Sequence, residues 1–108
     1  MVSDLVSKQC KPCTAGTPPL SQPEIDLLLS PGWEQHGNRI GKTYQFKNYY
    51  QTIAFVNAVA WMTHREDHHP DLSVGYNTCR VEYTTHAVGG LSENDFICAA
   101  KVDALFAS

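Results

Sequence analysis

Hydrophobic positions recur along this chain with two different periods, and the switches between them mark out its elements. Residues 1–20 carry no apolar periodicity and include Pro18-Pro19, so they read as a partly flexible N-terminal arm ahead of a single domain over 21–108. Ser21-Gln22-Pro23-Glu24 has the capping-box form and opens a short apolar helix, Ile25 to Leu29, which Pro31-Gly32 stops. From Trp33 to Phe46 the turn residues His36-Gly37-Asn38 separate two short segments, the second alternating through Tyr44 and Phe46, which predicts a β-hairpin. No Gly or Pro occurs from 49 to 69, and Tyr49, Ile53, Val56, Ala60 and His64 share a helical stripe. A helix to about Arg65 follows, with His64 at its C-terminal end on the core-facing stripe.

Pro70 disfavours helical geometry at His69, so His68 and His69 belong to an extended exit from this helix and project to different sides. Leu72 to Tyr76 and Cys79 to Thr85 are two further strands around Gly75-Tyr76-Asn77-Thr78, the second alternating Cys79, Val81, Tyr83 against Arg80, Glu82, Thr84 and ending at His86. After Gly89-Gly90, Ser92-Glu93-Asn94-Asp95 forms another capping box, opening a last helix that buries Ile97, Cys98, Val102 and Leu105. The order is α-β-β-α-β-β-α, an α+β fold in which a four-stranded antiparallel sheet carries three helices on one face. The uncovered face and strand edges of so small a domain invite a second subunit.

Composition narrows the function classes. With eleven Asp and Glu against eight Lys and Arg, bulk charge does not favour nucleic acid. The start Met1–Val6 lacks a basic region followed by an apolar core, and no stretch approaches the roughly 20 apolar residues of a membrane span, so a cytoplasmic location is expected. Four cysteines without an export signal read as reduced thiols, with Cys79 and Cys98 as small core residues. Cys10-Lys11-Pro12-Cys13 has the spacing of half a zinc site but no second pair to complete it.

The chemistry lies in the run His64, Glu66, Asp67, His68, His69, Pro70, answered seventeen residues after His69 by His86. Imidazole both donates and accepts a proton near neutral pH, so such a cluster suggests proton transfer or metal binding. His68, His69 and His86 could supply three zinc ligands, but neighbours on an extended segment seldom bind one ion together, and HExxH is absent. The expectation is a site without metal. Glu66 is expected to be solvated.

The spacing His64, then three residues to His68-His69-Pro70, five more to Tyr76, nine to His86 and eight to Asp95 resembles the signature of the pterin-4a-carbinolamine dehydratases. That family's first position accepts acidic residues, lysine or histidine, so His64 conforms. Pro31-Gly32-Trp33, Tyr44-Gln45-Phe46-Lys47-Asn48, Phe55 and Gly90-Leu91-Ser92-Glu93-Asn94-Asp95 resemble family positions too, and the similarity covers about residues 21–106. The Cys10/Cys13 arm resembles bacterial members. The resemblance implies dehydration of 4a-hydroxytetrahydropterin to quinonoid dihydropterin, the recycling step after an aromatic amino-acid hydroxylase, with no metal or redox cofactor. It also implies a homodimer or homotetramer and a possible hydroxylase partner.

By the same resemblance, His68 and His86 transfer protons, and His69 holds the pterin and shares that work. His64, Asp67, Pro70, Thr84, Thr85, Asp95 and Trp33 are the expected substrate-binding positions. Asp67 and Asp95 could orient imidazoles, with capping of the last helix as a rival role for Asp95. Thr84 and Thr85 could meet the flat pterin edge. Trp33 could cover the ring or pack in the core. The alternative from another class is a non-catalytic dimerisation or regulatory module for a hydroxylase or transcription factor, since animal relatives in the family serve as dimerisation cofactors for a homeodomain protein. The three-histidine set favours the enzyme.

Overall fold

Helix boundaries here are set by side chains that satisfy backbone groups the helices cannot satisfy themselves. The computed structural model describes residues 2–14 and 16–107. At α1 (Gln22–Leu28) Ser21 and Glu24 form the expected capping box, each side chain accepting the other's backbone N–H. At α2 (Tyr49–Glu66) the Asn48 side chain accepts from the Gln51 N–H at 2.9 Å. Only half a box forms at α3 (Glu93–Ala107): Asp95 accepts the Ser92 N–H at 2.9 Å, while Ser92 Oγ turns to Thr85 Oγ1 at 2.7 Å.

β1 (Glu34–His36) and β2 (Arg39–Gln45) pair around Gly37, whose φ of +62° suits a residue without Cβ. β3 (Asp71–Val74) pairs with β4 (Thr78–Tyr83), and β2 joins β4, all antiparallel, in the order β1-β2-β4-β3. β3 is shorter than expected because Gly75 N–H turns back to the Thr78 carbonyl at 2.8 Å. The chain therefore has the expected α+β order, with short 3-10 helices added at Val2–Ser7 and His86–Val88. His86 lies in the second of these rather than at a strand end. Ile40 faces Tyr83 and Tyr44 faces Cys79 across the β2–β4 ladder, so the alternating residues of both strands meet on one buried face. Ile25, Phe55, Val59, Phe96, Ile97 and Val102 close it from the helical side. No helix among the described residues is long and apolar enough to cross a membrane.

α2 is rotated relative to the stripe expected for it. Its buried residues are Thr52, Phe55, Val59, Met62 and Thr63, whereas His64 is exposed, its ring centroid 6.0 Å from that of Trp61. Apolar residues surround most of this helix, so periodicity alone left its rotation open. Burial of Thr52 is possible because its hydroxyl reaches the Asn48 and Tyr76 carbonyls at 2.9 and 3.0 Å.

The N-terminal arm is packed onto the domain. Leu5 is 2% exposed within the core cluster, Lys101 Nζ donates to the Val6 carbonyl at 3.1 Å, and Cys10 N–H donates to Glu66 at 2.9 Å. Glu66 also pairs with Lys101 at 3.4 Å, so it is a part-buried anchor and not a solvated residue. Burial alone would raise its carboxyl, but the Cys10 N–H and the Lys101 ammonium outweigh burial and hold it below the usual range.

The uncovered sheet face proves polar, not apolar. Arg39 bonds Asp71 at 2.8 Å and Arg80 bonds Glu82 at 3.1 Å, with Gly41 leaving room where a Cβ would sit 2.6 Å from the Arg80 guanidinium. Large apolar side chains are exposed on α2 instead, Tyr50 at 82% and Trp61 at 65%, so self-association should use helix surface and strand edge. Light scattering should give a dimer or tetramer that Trp61→Lys weakens; a wild-type monomer at micromolar concentration contradicts this.

Acid should loosen the arm. Because the folded-state carboxyl of Glu66 lies below its unfolded value of about 4.3, its contribution is complete above that value and is lost as pH falls through the lower folded one. The protection factor of the Cys10 amide should drop in this window before global unfolding. Protection that persists until the whole domain unfolds would show that Glu66 does not hold the arm.

Candidate active site

α2 ends on a left-handed residue. Asp67 has φ 54° and ψ 40°, and its N–H and that of His68 both reach the Thr63 carbonyl, the latter at 3.3 Å. A short polar side chain tolerates this conformation better than most. The turn sends the next two imidazoles different ways: the His68 side chain is 14% exposed, whereas His69 is open to solvent.

His68 stacks on Tyr83, ring centroids 5.4 Å apart and planes within 16°, with Nε2 2.7 Å from Asp95 Oδ1. Asp95 is fully buried. A carboxylate removed from water costs several kcal/mol unless donors replace its hydration. Its second oxygen takes the Ser92 N–H at 2.9 Å and the Thr85 hydroxyl at 2.8 Å. Since Thr85 donates to Asp95, the Ser92 hydroxyl is left to donate to Thr85, and the donors converge on one carboxylate. Asp95 thus caps α3 and holds the His68 ring, combining the two roles that sequence left as rivals. Burial pushes the Tyr83 phenol far above its usual range, so His68 stacks on a neutral ring.

Beside His68 lies a cleft of about 510 Å³, a size suited to a small bicyclic molecule. The end and exit of α2 (Arg65 to His69) form one wall, and the end and exit of β4 (Glu82, Thr84, Thr85) with His86 form another. The arm, Cys10 to Cys13, forms a third with Asn94. The Arg39 hydrogen bond, aided more weakly by His86 and His69, holds the Asp71 carboxyl below the usual range, so both exposed imidazoles stand within electrostatic reach of one carboxylate. No group of three His, Cys, Asp or Glu side chains among the described residues is arranged to hold a metal ion.

Of the residues singled out from sequence, His68, His69, His86, Asp67, Thr84 and Thr85 line this cleft, and Asp95 stands directly behind His68. Thr84 spends its hydroxyl on the Asn38 carbonyl at 2.6 Å. His64 and Pro70 are not on the lining. Trp33 is a core residue, 4% exposed, edge-on to Tyr44 and bonded through Nε1 to Asp103 at 3.1 Å. The arm and Asn94 were not foreseen as parts of the site. The Cys10-x-x-Cys13 spacing marked the segment as unusual but could not say what it faces.

Comparison with known proteins identifies the family. A family model described as pterin 4 alpha carbinolamine dehydratase matches residues 18–105. A relative from Nitrosospira multiformis is 67% identical over 107 residues, covering 97% of this chain and 95% of its own, and one from Nitrosomonas eutropha is 64% identical over 110 residues, covering 99% and 97%. Both are named as pterin-4-alpha-carbinolamine dehydratases. Among solved structures, the transcriptional coactivator/pterin dehydratase of Brucella melitensis superimposes with a TM-score of 0.78 at 27% identity, over 81% of this chain and 97% of that one. A pterin dehydratase-like RuBisCO assembly factor of the alpha-carboxysome superimposes with a TM-score of 0.59, also at 27% identity, over 70% and 88%. Sequence match along nearly the whole length, the shared fold and the histidine-lined cleft give one conclusion: this chain belongs to the pterin 4 alpha carbinolamine dehydratase family.

Proposed function

We propose that this protein dehydrates 4a-hydroxytetrahydropterin to quinonoid dihydropterin and water. The observation that carries the proposal is His68, locked by a buried carboxylate beside a cleft that His69 and His86 also line. Loss of the 4a-hydroxyl needs an acid for the departing oxygen and a base for the N5 proton. Water already performs this slowly, so positioned imidazoles suffice: the N5 lone pair forms the C4a=N5 bond as the C4a–O bond breaks, the oxygen leaves as water, the N5 proton passes to the base, and no oxidant is needed. With Asp95 accepting from Nε2–H, the tautomer of His68 is fixed and Nδ1 is left to exchange a proton with the substrate. His86 is the second proton carrier. His69 holds the pterin and shares the transfer, and Asp67, Thr84 and Thr85 contact its edge. His64, Pro70 and Trp33 enter only as scaffold. The cellular role is recycling of the cofactor of an aromatic amino-acid hydroxylase in the cytoplasm, by a homo-oligomer that can meet that hydroxylase.

The second reading is an interaction module, favoured by the names of the two structural neighbours, one a transcriptional coactivator and the other a RuBisCO assembly factor. A binding module does not require a fully hydrogen-bonded Asp95–His68 pair at a cleft, and the enzyme reading is preferred on that ground.

Stopped-flow formation of quinonoid dihydropterin from fresh carbinolamine tests it. His68→Ala and His86→Ala should each lower kcat by about 10²–10⁴-fold, and the double variant should approach the spontaneous rate. His69→Ala should raise KM at least as strongly as it lowers kcat. Asp95→Asn, which keeps the shape but loses the charge, should lower kcat and cost about 1–3 kcal/mol of stability. His36→Ala, exposed at the end of β1, is the control. Full activity in all the folded histidine variants places the chemistry elsewhere.

Activity should also survive dialysis against a strong chelator. A loss restored by zinc alone would replace proton transfer by metal chemistry.

A further inference from the structure

The best-supported wall of the cleft is one that proton transfer does not call for. Asn94 holds the arm by both ends of its amide: Lys11 N–H donates to Oδ1 at 3.0 Å, and Nδ2 donates to the Lys11 carbonyl at 2.6 Å. Glu66 accepts the Cys10 N–H at 2.9 Å, and Cys10 Sγ lies 3.5 Å from Cys98 Sγ, which in turn contacts the His68 carbonyl at 3.8 Å. These anchors stand next to the residues that fix His68. Asn94 precedes Asp95 on α3, and Glu66 lies two residues before His68 at the end of α2. One short stretch of α3 and the end of α2 therefore set the spacing between the arm and the imidazole. A flat ring presents two faces, and a cleft that positions it must supply a surface for each.

We propose that the Cys10–Cys13 segment is the wall that supports one face of the pterin ring, and that Asn94 and Glu66 are positioning residues that fix its distance from His68. This rests on the dehydratase reading above. Pro12 and the half-buried Cys13 line the cleft and provide its apolar surface on that side. The arm contributes binding and orientation; it carries no proton.

The test uses Cys13 of the wild-type protein as its own reporter. Cys79 and Cys98 are buried, and the Cys10 thiol is pushed far above its ordinary range, first by its contact with Cys98 and then by burial, so alkylation by iodoacetamide should fall on Cys13. A stable 7,8-dihydropterin at ten times its dissociation constant should slow that alkylation by about tenfold, read by mass spectrometry. Asn94→Ala should raise KM and the dissociation constant of the same pterin by about tenfold, with a smaller fall in kcat, and Asn94→Asp, which keeps only the acceptor, should lie between. Pterin bound, by fluorescence, with Cys13 unprotected overturns the arm assignment alone. A folded Asn94→Ala that lowers kcat without moving KM or binding does the same. A wild-type protein that binds no pterin overturns the dehydratase reading itself.

Discussion

A carboxylate without water has to find donors, and Asp95 finds them in three separate segments. The start of α3 gives it the Ser92 N–H, the exit of β4 gives it the Thr85 hydroxyl, and the exit of α2 gives it His68. Leaving any of these out would strand a buried charge, so the three segments are held together by the same interaction that builds the site. Fold closure and site geometry are one constraint here.

The neighbouring residue extends that constraint outward. Asn94 faces the arm while Asp95 faces His68, so adjacent positions on one helix set two sides of a single cleft. The arm repeats the logic on a smaller scale: Leu5 enters the core, Glu66 takes the Cys10 N–H, and the segment between them has little freedom left to move away. An element that looks dispensable by composition becomes a wall because its backbone is bonded at intervals to α2 and α3.

The sheet divides the labour differently. Its inner face is closed by helices and its outer face by ion pairs such as Arg39–Asp71, while exposed apolar side chains such as Tyr50 and Trp61 lie on α2. Asp71 belongs both to that charged face and to the cleft, so the two surfaces meet at the histidines.

Sequence alone determined what depends on residues a few positions apart. The capping box at Ser21, the Gly37 turn, the alternation through Cys79, Val81 and Tyr83, and the αββαββα order are all local, because hydrogen bonds between near neighbours and the periods of helix and strand are written in spacing. The histidines and Asp95 were picked out as a set only because their spacing resembles a family signature. Tertiary structure decided the rest. The rotation of α2 that leaves His64 outside depends on which of several apolar stripes meets the sheet. The withdrawal of Trp33 into the core depends on Asp103 across the fold. His68 and Asp95 are 27 residues apart, and Cys10 and Glu66 are 56 apart, so neither contact exists until the chain between is packed. Such pairings are set by shape and burial over the whole domain, which no window of sequence contains.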